Sequence, residues 1–82
     1  MKARVFVMLK PSVLDPQGKT ISAALNTLGY ETVRDVRQGK YFELDLEVES
    51  PEEAKILAAE VADKLLANPV IETYRVEVYA SE

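Results

Sequence analysis

Val33-Arg34-Asp35-Val36-Arg37-Gln38-Gly39-Lys40-Tyr41-Phe42-Glu43-Leu44-Asp45-Leu46 reads as a hairpin about which the rest of the chain is arranged. In its second arm Phe42, Leu44, Leu46 and Val48 fall on one face, and Tyr41, Glu43, Asp45 and Glu47 on the other. A period of two with one apolar face is the pattern of a half-buried strand. Gln38-Gly39 supplies the turn, since glycine accepts the positive φ that tight hairpin loops require. A two-residue loop sets Arg34 opposite Glu43, a favourable pair, and Arg37 opposite Lys40, an unfavourable one. Asp35 on the same face relieves part of that repulsion. Two readings of the tip stay open: solvated turn residues, or a basic tip kept for a partner.

Working outward, Ala3 to Lys10 reads as a first strand. Ala3, Val5, Val7 and Leu9 share one face, and Arg4, Phe6, Met8 and Lys10 the other. Both faces are largely apolar, which predicts a central strand covered on each side, ended by Pro11. Asp15-Pro16 has the form of an N-cap followed by proline at the first helical position. Ile21, Ala24, Leu25 and Leu28 then make one stripe of an amphipathic helix, with Gly29 as its C-terminal cap. Gly18, in the opening turn, costs helix propensity, which fits a close approach of chain at the helix start.

Beyond the hairpin, Ser50-Pro51-Glu52-Glu53 has the S-x-x-E form of a capping box. Ala54, Leu57, Ala58, Val61 and Leu65 form the predicted buried stripe of a second helix, with Glu60 and Lys64 paired on its wet side. Asn68-Pro69 stops it. Ile71 to Tyr79 is the last strand, with Tyr74, Val76 and Val78 facing in. The order β-α-β-β-α-β predicts a ferredoxin-like α+β sandwich: a four-stranded antiparallel sheet with both helices on one face. The open sheet face would show Phe6, Met8, Val36, Tyr41 and Tyr79. Grouped apolar residues there predict self-association, as a homodimer or tetramer.

Composition bounds the function. At 82 residues, 48% hydrophobic and 29% charged, the chain fits a single domain spanning residues 1–82. A net charge of −4 argues against nucleic acid as a partner. No apolar run reaches membrane-spanning length, and Met1-Lys2 leads into a strand without a signal-peptide core, so the expected location is the cytoplasm. With no cysteine and no histidine, thiol chemistry, the commonest general base and the His/Cys metal sites are excluded. There is no phosphate-binding loop, no GxGxxG and no GxSxG elbow. The carboxylates lie singly along solvated faces, so no catalytic group is expected in the isolated chain.

Three segments together resemble the PurS family, the small subunit of phosphoribosylformylglycinamidine synthase. They are Leu9-Lys10 with Val13-Leu14-Asp15-Pro16-Gln17-Gly18; Asp35-Val36-Arg37-Gln38-Gly39-Lys40; and Leu65-Leu66-Ala67-Asn68-Pro69-Val70-Ile71-Glu72. Their order, spacing and the chain length carry the resemblance, which runs over nearly the whole chain. Pro11-Ser12 and Gln38 read as variable loop residues. The resemblance implies an accessory subunit of an ATP-dependent carbon–nitrogen ligase of purine biosynthesis. It would bridge the glutaminase PurQ and the synthetase PurL and assist ammonia transfer, for conversion of formylglycinamide ribonucleotide to its amidine. The complex would use MgATP and glutamine, with no cofactor on this chain.

The motif positions give Lys10, Gly18, Arg37, Gly39, Lys40, Asn68 and Glu72 as candidate partner contacts. Lys10, Arg37 and Lys40 carry the stronger case, because turn geometry does not call for adjacent cations. Gly39 serves equally well as a plain turn residue, and Asn68 as a helix cap. Two rival classes share the strand order. An ACT-type regulatory module would bind a small molecule through a glycine-bearing loop after the first strand, which Gly18 matches weakly. An RNA-recognition module would need stacking aromatics and a basic face, which the acidic balance opposes.

Overall fold

A computed structural model describes residues 1–80. Three strands, β1 (Lys2–Leu9), β2 (Gly39–Asp45) and β3 (Glu72–Tyr79), form one antiparallel sheet in the order β2-β1-β3. Helix α1 (Pro16–Thr27) follows β1, and α2 (Pro51–Val61) follows β2. The first strand is central, as its two apolar faces predict. On one side of the sheet Ala3, Val5 and Val7 are fully buried, and Phe42, Leu44 and Val76 pack around them.

The four-stranded sandwich does not form. No fourth strand is present among the described residues, and Glu31 to Gln38 runs without strand structure. The predicted hairpin is absent too. Lys40 stands opposite Val7 and Glu43 opposite Arg4, so β2 pairs with β1 and not with the segment before it. The reason lies at Gly39, whose φ is not positive. Its missing side chain serves close approach instead, since a methyl group there would overlap Met8 Sδ and the Val7 carbonyl. The glycine was needed between strands, not at a turn.

Both helices start as their sequences dictate. The Asp15 carboxylate accepts from Gly18 N at 2.9 Å, and Ser50 Oγ accepts from Glu53 N at 3.4 Å; a proline follows each cap. Gly29 ends α1 with φ 99°, the left-handed conformation glycine tolerates best. The helices then diverge in packing. Only α2 lies against the sheet, over β1 and β3. Helix α1 packs along none of the other elements, and Gly18 is its one buried residue. Ile21, Leu25 and Leu28, predicted to be buried, stay wholly or partly exposed. The expectation of two helices on one face is therefore corrected to one.

The stripe of α2 also differs from a regular helix. Ala54, Ala58 and Ala62 are buried, whereas Leu57 is 36% and Leu65 80% exposed. Residues Ala62–Leu66 continue α2 as a π-helical turn, closed by Ala67 N donating to Ala62 O at 2.8 Å. The wider turn rotates the face by one residue, so Leu66 reaches the core in place of Leu65. On the wet side Lys64 and Glu60 pair at 2.8 Å as predicted.

Candidate functional site

The loops at one end of the sheet gather the candidate contact residues. Asp15 is the hub. One of its oxygens accepts from Gly18 N, and the other from Gln38 N at 2.7 Å. A single carboxylate thus caps α1 and holds the segment entering β2. Both N–H groups pull its pKa below the ordinary carboxylate value, Gln38 most, with the Arg37 charge adding to them and desolvation opposing. Gly18 fits because the Val36 carbonyl occupies the space a side chain would take.

Arg37 completes the knot. Its Nη2 donates to Lys10 O at 3.0 Å and Leu9 O at 3.4 Å, and its Nη1 to Val13 O at 3.2 Å. The guanidinium thereby fastens the loop between β1 and α1, itself closed by Val13 N donating to Lys10 O at 2.9 Å. Arg37 was expected at the tip of a hairpin facing outward. It is instead committed to three carbonyls of its own chain.

Lys40 and Glu72 lie beside this knot. Lys40 Nζ stands 3.4 Å from Glu72 Oε2, on the helix side of the sheet, reaching diagonally across β1. The other Glu72 oxygen accepts from Asn68 N at 2.7 Å, and Asn68 Oδ1 accepts from Val70 N at 3.1 Å. Asn68 therefore shapes the turn after the π-helical segment and does not cap the helix. The Lys10 backbone N–H donates to Ile71 O at 2.8 Å, tying the β1 end to the β3 start. Its ammonium group makes no hydrogen bond or ion pair among the described residues, in contrast with Arg37 and Lys40. A cleft of about 220 Å³ opens here between Leu9, Asp15, Gln38, Lys40 and Glu72.

All seven candidate residues thus come to one end of the molecule, but most hold each other. Sequence reasoning missed Gln38, taken as a variable loop residue; its contribution is a backbone N–H, which no side-chain pattern announces. It also missed the second role of Asp15, for which the sequence signal was only the cap motif.

The open sheet face carries most of the predicted self-association set. The Phe6 and Tyr41 ring centroids are 5.2 Å apart. Arg75 lies over Phe6 at 4.3 Å and Arg4 over Tyr79 at 4.2 Å. Glu43 and Glu77 flank Arg4 in the register, and Arg75 pairs with Glu77. The face is consequently laced with charge, with Met8 at its edge beside Gly39. Val36 is not on it, because its segment lies outside the sheet. Among the described residues no group of three or more His, Cys, Asp or Glu side chains could hold a metal, and no helix is long and apolar enough to cross a membrane.

Sheet, single packed helix and loop knot define a small α+β module, its polar residues spent chiefly on fastening loops. The family model described as PurS, phosphoribosylformylglycinamidine (FGAM) synthase, matches residues 2–80. The chain belongs to the PurS family. It is 52% identical over 77 residues to the phosphoribosylformylglycinamidine synthase subunit PurS of Bacillus subtilis, covering 94% of this chain and 90% of that one. The crystal structure of Methanocaldococcus jannaschii PurS matches with a TM-score of 0.90 at 43% identity, over 99% of this chain and 98% of that one. A chain of the PurLQS structure from Thermotoga maritima matches with a TM-score of 0.85 at 34% identity, over 93% of both.

Proposed function

We propose that this chain is the accessory subunit that bridges PurQ and PurL and assists ammonia transfer, working in the cytoplasm on the conversion of formylglycinamide ribonucleotide to its amidine. The observation that supports this reading is the near full-length match to a chain of PurLQS. MgATP and glutamine belong, on this reading, to the larger subunits. Supporting this, Arg37 is committed to carbonyls and Lys40 to Glu72, which leaves Lys10 as the one cation here without a bond among the described residues, and the chain has no cysteine nucleophile. Excluding water from an ammonia path is a task for shape and burial, which a small sealing subunit can supply. Co-elution of this chain with the PurL and PurQ of its own organism tests the assembly, and its migration alone in their presence would contradict it.

The protomer also asks for a second copy of itself. Its radius of gyration is 16.0 Å, against about 12 Å for a compact chain of this length. Its accessible surface is 6061 Å², roughly 1,000 Å² more than a compact monomer of this mass presents. That excess is close to the roughly 800 Å² each partner buries in a standard interface. Apolar surface left open on the helix side includes the Ile21–Leu25–Leu28 stripe of α1, with Leu28 72% exposed, and the β2 side of the inner sheet face, where Phe42, Leu44 and Leu46 are half-buried and α2 lies over β1 and β3 instead. On this reading α1 of one copy covers β2 of the next. This reading adds a self-association surface on the helix side to the apolar open sheet face expected from sequence. Equilibrium sedimentation at tens of micromolar tests it; a monomer there would contradict it.

A further inference from the structure

We infer that Asp15 and Arg37 form the joint that aims α1 at the second copy. They are positioning residues for self-association and not docking contacts for the larger subunits. The inference rests on the second-copy reading above and adds what makes that geometry possible.

A helix that runs along no other element of its own protomer has its direction set chiefly where it is attached. Here the attachment is its first turn. Gly18 is the sole buried residue of α1, seated against the Val36 carbonyl with no room for a side chain. The Asp15 carboxylate, 5% exposed, joins the helix cap to Gln38 N on the strand-entry segment. Arg37, one residue earlier on that segment, closes the other side by donating to Leu9, Lys10 and Val13 carbonyls of the loop before the helix. Helix start, preceding loop and strand entry are thus bound by charge-assisted hydrogen bonds, which are stronger and more directional than neutral ones. At the far end, the Leu28 N–H and the backbone N–H groups of Gly29 and Tyr30 bond only to carbonyls of α1 itself, so nothing there anchors the helix to the sheet.

A pre-aimed helix matters energetically. Fixing an apolar element in its bound direction removes ordering entropy that association would otherwise have to overcome. If the joint is loosened, the helix still forms and the apolar stripe is still present, but it samples many directions and the dimer weakens.

The substitution Asp15→Asn separates these effects. Asparagine caps helices as well as aspartate, so its carbonyl oxygen keeps the bond to Gly18 N, while its amide NH₂ faces the Gln38 N–H, donor against donor. Arg37→Gln removes the clamp on the loop from the other side. For direction, paired spin labels at Ala23→Cys on α1 and Lys55→Cys on α2, in a chain without native cysteine, report the helix–helix distance with excess unlabelled chain present. The parent is expected to give one narrow distance distribution and to self-associate. Both variants are expected to keep the parent's circular-dichroism helical signal, to broaden that distribution and to raise the dissociation constant at least tenfold. A parent that associates while Asp15→Asn and Arg37→Gln match it in distance distribution and dissociation constant would overturn the joint. A parent that stays monomeric would overturn the second-copy reading itself.

Discussion

Lys40 and Glu72 meet across the central strand, 3.4 Å apart, with Glu72 nearly covered and Lys40 more than half exposed. Because Glu72 also accepts from Asn68 N, the two partners are not equivalent. Removing the exposed cation by Lys40→Met is expected to cost less than about 1 kcal/mol. Glu72→Ala strips the acceptor from a turn N–H as well and is expected to cost about 1–2 kcal/mol. Denaturant unfolding at one fixed protein concentration checks the order; equal losses would contradict it.

The π-helical turn gives a second prediction. Leu66 packs against the core while its neighbour Leu65 projects into solvent. Leu66→Ala is expected to destabilise by about 2–4 kcal/mol, and Leu65→Ala by no more than about 0.5 kcal/mol. A regular helix would reverse the ranking, so the same unfolding experiment reads the register of this turn directly.

A third concerns the two glycines used for different reasons. Gly29 has φ 99° and open space around it, so Gly29→Ala costs only backbone strain, about 1–2 kcal/mol. Gly39 has ordinary φ but no space, between Met8 Sδ and the Val7 carbonyl. Gly39→Ala must push β2 from β1 and is expected to cost about 1–3 kcal/mol and to shift amide resonances along both strands. Local shifts confined to residues 38–40 would contradict this.

Acid should loosen the same end of the molecule. The Asp15 pKa is lowered in the fold by the Gln38 and Gly18 N–H groups. Its stabilisation is therefore fully present above the unfolded value, about pH 4, and is lost as pH falls below it through the folded pKa. Chemical-shift titration is expected to show the Gly18 and Gln38 amides moving together below about pH 4, with Asp15→Asn abolishing the step. Independent midpoints for the two amides would contradict a shared carboxylate.

How much of this was legible follows from how local each signal is. The helix starts at Asp15-Pro16 and Ser50-Pro51 and the stop at Gly29 depend on neighbours within four residues, and each was read from the chain. So was the inward set Phe42, Leu44, Val76 and Val78, because a strand alternates whatever it pairs with. The hairpin failed because Gly39 is equally suited to a turn and to a close approach, and only the register with Met8 distinguishes them. The stripe of α2 held at Ala54 and Ala58 but failed at Leu65, because a period of 3.6 cannot announce the extra residue of a π turn. Lys10, Arg37, Lys40 and Glu72 were singled out through family resemblance as partner contacts, but their gathering at one end was not foreseen. Nor was their mutual bonding, since Arg37 lies 24 or more residues from its acceptors.

The most direct test of the functional account is amidine formation by PurL plus PurQ with glutamine and MgATP, measured with and without this chain, beside a control in which ammonium salt replaces glutamine. The account predicts that the chain is required when glutamine is the nitrogen source and dispensable when ammonium is supplied. Equal rates with and without it in the glutamine reaction would contradict the bridging role.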